Sequence, residues 1–458
     1  MKQHLEYVLA SFFVMSGTEV IADVLVVPGD AATIQGGINI ANNGDTVLVA
    51  DGMYVENINF MGKAITATSV NGPASTTIDG SAAGSVITFN AGETSASLLS
   101  GFTIRNGDAS DGGGVRISGA SPVIRGNIIS ENASNFGGGG IAVSGGAPLI
   151  EENLITLNQA SSGNGLELAF TNAIVRGNTI TFNSRGPGSG GTGGGGISVR
   201  GAGNSQIIGN LIADNSTGTD GGGISLFAAG TPTIQDNIIR DNTASSGGGI
   251  SHTNSSNSSI VQNLIIGNTA STEGGGVEWL VPSGSRGPLL VNNTIAFNMS
   301  PSGGGVFANG FDANTALYNN IIVAIPGQTA VVVGSFNDPN APKFFNNNLF
   351  SAGGAAYGGI GTNPTGTDGN ISIDAMFVDS AAGDFRLLAT SGLIDTGTNS
   401  APNLPALDLY GHSRIFDGNA DSLATVDIGA FEFIPEPSTI VMLSLGMLLS
   451  GAALRQRR

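Results

Sequence analysis

Between Ser121 and Asn320 one short phrase is written eight times, beginning with SPVIRGNIISENASNFGGGGIAV and returning as TPTIQDNIIRDNTASSGGGIS and NSSIVQNLIIGNTASTEGGGVEW. Its copies align on Asn127, Asn153, Asn178, Asn210, Asn237, Asn263, Asn293 and Asn320, at steps of 26, 25, 32, 27, 26, 30 and 27 residues. An aliphatic residue always stands three places earlier, from Ile124 to Leu317, and isoleucine always two places later, from Ile129 to Ile322. Seven copies add a second asparagine five places on, from Asn132 to Asn298. Repetition at this period predicts a solenoid, in which each unit buries its apolar face only against its neighbours.

Helical repeats are excluded, because Gly, Asn, Ser and Thr interrupt the repeats every few residues. The apolar groups are short and β-branched, three to a repeat, as in Val115–Ile117, Val123–Ile124 and Ile128–Ile129. Three short strands and three turns per coil describe a parallel β-helix, its coils separated by about 4.8 Å. Like residues in successive coils then stack into an aliphatic core. Asparagine at a bend tolerates left-handed geometry and can hydrogen-bond along the stack. The glycine runs, such as Gly221–Gly223 and Gly247–Gly249, suit a corner too tight for side chains, and use much of the chain's 73 glycines.

Composition narrows the partners. A net charge of −18, with 16 Lys and Arg against 34 Asp and Glu, argues against nucleic acid, which requires a basic face. With no cysteine, disulfides and thiol catalysis are excluded.

Residues 1–22 read as a secretory signal: Lys2, an apolar run over Val8–Met15, then Val-Ile-Ala with Ala22 before Asp23. Residues 23–110 would form an N-terminal cap and the first coils. There Asp30 is placed to cap a short helix that turns Ile34, Ile38 and Ala41 to one side. Asn106, 26 before Asn132, would open the second asparagine row. Residues 111–345 hold the repeats, 346–434 the closing coils and a cap, and 435–458 a separate C-terminal segment. The opening DAATIQGGINIANNGDTVLVADGMYVENINFMGKAITATS resembles the start of secreted pectin-lyase-like proteins, which implies a right-handed helix. Its Gly52-x-Tyr54-x-Glu56 is similar to the first signature of pectin methylesterases; the later signatures, which carry their carboxylates, are missing, so the triplet reads as structural. The stretch Asp374–Phe433, with Asp384-Phe385-Arg386-Leu387 and Asp427-Ile428-Gly429-Ala430-Phe431-Glu432, resembles the terminal cap of β-helix proteins with interchangeable surface anchors. Its expected task is to bury the edge of the last coil.

At the end, Pro435-Glu436-Pro437 precedes the apolar run Ser438–Leu454 and a basic terminus bearing Arg455, Arg457 and Arg458. Seventeen helical residues would extend roughly 26 Å, enough for a short transmembrane helix, with the arginines on the cytoplasmic side. Pro-Glu-Pro, one span and a basic end resemble the PEP-CTERM sorting signal. The resemblance implies recognition by an exosortase-type enzyme, transient anchoring in the membrane, and delivery to the cell surface or extracellular matrix in an exopolysaccharide setting.

Chemistry in a β-helix would lie on an outer face, where neighbouring coils converge. In the strand after each glycine run, alternation turns Val115/Ile117, Ile141/Val143, Leu166/Leu168, Ile197/Val199 and Ile224/Leu226 inward. The residues between them form an outward row: Arg116, Ala142, Glu167, Ser198, Ser225, Ser251, Glu278, Phe307. Its two acids stand too many coils apart for a glycosidase pair, and no Asp-Asp, Gly-His-Gly or Arg-x-Lys motif appears. Hence no catalytic residue is assigned. His252 and Trp279 share an inward position in consecutive coils, as core fillers or as a binding slot. Asp214 and Asp241 stack four places after Asn210 and Asn237, as solvated turn residues or, with a cation between them, as a calcium site. Asp417-x-Asn419-x-Asp421 is half a calcium loop, without the glycine and glutamate that complete one. The expectation is a structural or carbohydrate-associating surface protein without catalysis. The alternative is a polysaccharide lyase or glycoside hydrolase.

Overall fold

The computed structural model describes residues 22–186, 191, 193–254, 256–281, 287–310, 315–334 and 341–435. The signal segment, and the C-terminal run with its expected transmembrane helix, lie outside these. No described helix is long and apolar enough to cross a membrane.

Three parallel sheets run the length of the molecule, with 13, 12 and 12 strands among the described residues. The first holds strands such as Val123–Arg125, the second Ile128–Ser130 and the third Ile141–Ser144. At about 4.8 Å per coil, twelve coils span nearly 60 Å. Pairing is strictly in step: Ile124, Ile150, Val175, Ile207 and Ile234 face one another in the first sheet. Ile129, Ile155, Ile180, Ile212 and Ile239 do so in the second. All ten are fully buried. Register is fixed because a slip by one residue would turn every isoleucine to water. A fourth, minor row, from Asp108–Ala109 to Thr269–Glu273, adds to the three strands expected per coil.

Both asparagine rows form continuous ladders. Asn127 donates from Nδ2 to Asn153 Oδ1 at 3.1 Å, and the pattern repeats at Asn153–Asn178, Asn178–Asn210 and onwards. Each Oδ1 also accepts the backbone N–H of its partner one coil earlier, so these buried amides leave few groups unmet. The first ladder continues beyond Asn320 to Asn347 and Asn370, two coils past the end of the recognisable repeat. The left-handed conformation falls on the residue before each ladder asparagine, as at Glu152, Asp236 and Gln262, and not on the asparagine. Asn106 therefore pairs with Glu131, both at positive φ, and Gly107 is the residue that meets Asn132. The spacing of 26 misled by one. At the glycine corner Gly221 has φ +72°, and a Cβ on Gly223 would sit 2.7 Å from the Gly249 carbonyl oxygen.

The N-terminal helix spans Ile34–Ile40 and buries Ile34 and Ile38 over the first strands. Its cap is Thr33, whose hydroxyl accepts Gly36 N–H at 3.0 Å. Asp30 instead accepts Val26 N–H, within the preceding turn. Glu56 takes the N–H groups of Ile34 and Gln35, and Tyr54 donates to Ala50 O, so the Gly-x-Tyr-x-Glu triplet fastens this helix and first coil. At the other end, the tail starts on the last coil, where Ile371 and Ile373 bond Asn347–Leu349, but does not stay there. It folds back along the side of the stack, packing Phe385, Leu393, Ile428 and Phe431 on Leu264, Ala296, Ile321 and Val323 of the second sheet. Asn292 and Asn319, corner residues before ladder asparagines, hold it through Asp427 O, Gly429 O and Thr398 O. Within it, Arg414 and Glu432 form a wholly buried ion pair at 2.9 Å. Burial pushes the Glu432 carboxyl up against the pull of Arg414, and raises Asp427 to about 6.

Candidate functional site on the third sheet

The outward row has the predicted register: Arg116, Ala142, Glu167, Ser198, Ser225, Ser251, Glu278 and Phe307 are cross-strand partners in turn. Most of it is nonetheless buried, because each glycine corner folds back over the residue that follows it. A Cβ on Gly137 would lie 1.6 Å from Glu167 Oε2, so that glycine makes the space Glu167 occupies. Near Glu167 the cover opens into a cleft of about 150 Å³, lined by Asp111, Arg116, Ser118, Ser144, Glu167 and Arg200 among others.

The cleft joins four consecutive coils. Glu167, only 4% exposed, takes the Arg200 guanidinium on Oε1 at 2.5 Å. Burial raises the Glu167 carboxyl, Arg200 opposes this, and nearby Asp111 adds to it. Asp111 is held at the corner by Gly137 N–H. Arg116 is exposed and makes no ion pair among the described residues. Two carboxyls and two guanidiniums thus share one outer surface. Sequence reasoning missed Asp111, which sits in a turn, and Arg200. The signal for Arg200 was a second outward row, Ser118, Ser144, Ala169, Arg200, Phe227, two residues further along each strand.

Other predicted residues fall elsewhere. His252 and Trp279 are cross-strand neighbours as expected. Both are fully buried, as core fillers are. His252 contacts Ser256 O through Nε2 at 2.9 Å, and burial lowers it to about 4, so it stays neutral. Asp214 and Asp241 occupy the left-handed corner position before Asn215 and Asn242. Asp241 is bound by Arg240 at 2.5 Å, which a cation would have to displace. No group of three or more candidate metal ligands gathers among the described residues. Asp417 and Asn419 spend their side chains on the backbone N–H of Asp421. Glu278 lies sealed under its corner, accepting from Ser251 Oγ at 2.7 Å. Burial, with Asp220 and Glu273 nearby, raises it to about 8. Pro435 is exposed where the tail leaves the body; Glu436, Pro437, Arg455, Arg457 and Arg458 lie outside the described residues.

A family model described as right handed beta helix region matches residues 114–322, and one described as PEP-CTERM protein-sorting motif matches 433–458. This is a right-handed β-helix protein with a PEP-CTERM sorting motif. No curated protein matches it. Among solved structures, the β-helix is similar to pectate lyase Pel9A, with a TM-score of 0.52 and 16% identity over 90% of this chain and 96% of that one. It also matches the A-module of the Azotobacter vinelandii mannuronan C-5 epimerase AlgE6, at TM-score 0.42 and 15% identity over 74% and 94% of the two chains. The PL6 family alginate lyase AlyGC matches at 0.47 and 14%, over 91% and 60%. At such identity the likeness to Pel9A bears on the fold alone. The PEP-CTERM motif marks the β-helix protein for export and membrane-anchored sorting.

Proposed function

We propose that this β-helix protein is displayed on the cell surface, after handling by an exosortase-type enzyme, and associates there with an acidic polysaccharide at the cleft of Arg116, Glu167 and Arg200. The observation that carries this reading is the exposed guanidinium of Arg116 beside the Glu167–Arg200 pair, the cationic part of a site on a chain of net charge −18. A sugar carboxylate would pair with Arg116, a charge-assisted contact that suits a planar guanidinium. The fold's likeness to a pectate lyase is consistent with a glycan ligand.

Binding of oligogalacturonate and oligomannuronate to the purified protein tests it. Arg116→Ala should weaken binding by about tenfold, the order expected for one charge-assisted contact; unchanged binding would remove the cleft from the argument. The second reading is a lyase or hydrolase, favoured by a buried carboxyl with raised affinity for its proton beside an arginine, as a general acid requires. Release of unsaturated or reducing-end products, abolished by Glu167→Gln, would establish it.

A further inference from the structure

A second groove lies on another side of the molecule, where the tail crosses the corner between the first and second sheets. It measures about 690 Å³, within the range of small-ligand sites. Gln235, Asp236 and Gln262 contribute from the stack, and Leu407, Asp408 and Tyr410 from the tail. The corner position before each ladder asparagine divides its work here. Asn292, Asn319 and Asn346 fasten the tail. Asp236 and Gln262, in the two coils before them, instead face the groove and bond each other, Gln262 Nε2 to Asp236 Oδ1 at 2.7 Å. Gln235 Nε2 reaches the other carboxylate oxygen at 3.0 Å. Gln262 is 1% exposed, yet its Oε1 accepts no hydrogen bond. A buried acceptor left open in this way is costly unless something donates to it.

The opposite wall is built to hold an aromatic ring in the open. Asp408 accepts the N–H groups of Tyr410, His412 and Glu432, which fixes the loop. The Tyr410 ring packs on Phe431 at 4.9 Å and is still 56% exposed. Leu407 beside it is 53% exposed. The lining carries two carboxylates and no Lys, Arg or His. It therefore repels the anionic ligand that suits the Arg116 cleft.

We propose that this seam binds a neutral sugar: an uncharged pyranose lays its C–H face on Tyr410 and donates hydroxyl protons to Asp236 and the glutamine carbonyl oxygens. An aromatic ring with one apolar face free, opposite hydrogen-bond acceptors in a fixed frame, matches the two-sided chemistry of a sugar ring. The protein would then hold two kinds of glycan at once, an acidic one on the third sheet and a neutral one at the seam.

The test titrates the full chain in mild detergent with cellohexaose, laminarihexaose, maltohexaose and mannohexaose, with trigalacturonate as the acidic probe. At least one neutral probe should bind. Tyr410→Ala should weaken it tenfold or more, and Gln235→Ala, which leaves the tail's packing intact, by threefold or more. Arg116→Ala should leave neutral binding unchanged while lowering trigalacturonate binding, so failure of the acidic site and failure of this one are read separately. The proposal is overturned if none of the four binds at millimolar concentration. It is also overturned if neutral binding survives Gln235→Ala together with Tyr410→Ala, or is lost with Arg116→Ala alone.

Discussion

The coils up to Asn210 and those after Asn237 follow the same inward pattern and differ on the outside. In the earlier coils, the outward positions of the second sheet are partly exposed and mixed: Thr103 and Arg105, Ile128 and Ser130, Leu154 and Thr156, then Thr179. In the later ones the same positions hold Leu264, Thr294, Ala296, Ile321 and Val323, all buried, and the tail lies over them. At the corner before the second ladder, Leu157 and Phe182 are exposed, whereas Phe297, in the same row, packs on Phe377 and Phe385. Stacking dictates what a coil puts inside; its outer residues record what comes to rest on them.

Removing the tail, residues 371–435, should do the most damage. It would bare the apolar stripe of the later coils, with dye binding and aggregation as readouts, while the earlier coils keep their strand signal. Next, Arg414→Leu leaves Glu432 buried without its partner and should cost about 3–5 kcal/mol, seen as early proteolysis of the tail. In the earlier coils Arg125→Ala, on a pair whose arginine is half-exposed, should cost about 1 kcal/mol or less in a denaturant titration.

The two outward acids sharpen the contrast. Glu278, sealed and with only a serine donor, holds its proton to about pH 8 in the fold against 4.5 in the unfolded chain. A raised carboxyl means the folded state binds the extra proton between those values. Its contribution is therefore whole below pH 4.5 and lost as pH rises towards 8, on the order of 5 kcal/mol at most. Glu278→Gln should flatten that part of the stability–pH curve. Smallest is the corner row. Leu157→Asn should stabilise by about 0.5–1 kcal/mol, since asparagine tolerates φ 57° better than leucine. Phe297→Asn should reverse the sign, because tail contacts are lost; equal effects in thermal melts would break the comparison.

The inward half of the fold was legible because stacking repeats it: an aliphatic residue at the place of Ile124 and isoleucine at that of Ile129 recur in every repeat, and their period carries the sheets and register. The ladder's last members, Asn347 and Asn370, escaped because no phrase surrounds them. The course of the tail was not legible, since Asp427–Glu432 meets Asn292 and Thr294 across more than a hundred residues and no period links them. At the candidate site, reading one outward row found Arg116 and Glu167 and left out Arg200, which belongs to the other. Asp111 stands in a turn, where alternation says nothing.

The asparagine ladder has a direction. Each amide donates forwards to the asparagine of the next coil as well as backwards to a carbonyl of the coil before, and the last, Asn370, keeps its bonds to Phe344 O and Thr367 O with no further asparagine beyond it. A chain laying down coils from its amino end therefore finds, at every step, an amide that already grips the turn before and offers a donor to the turn to come. The stack would be handed on from turn to turn, and the handing-on ends at Asn370.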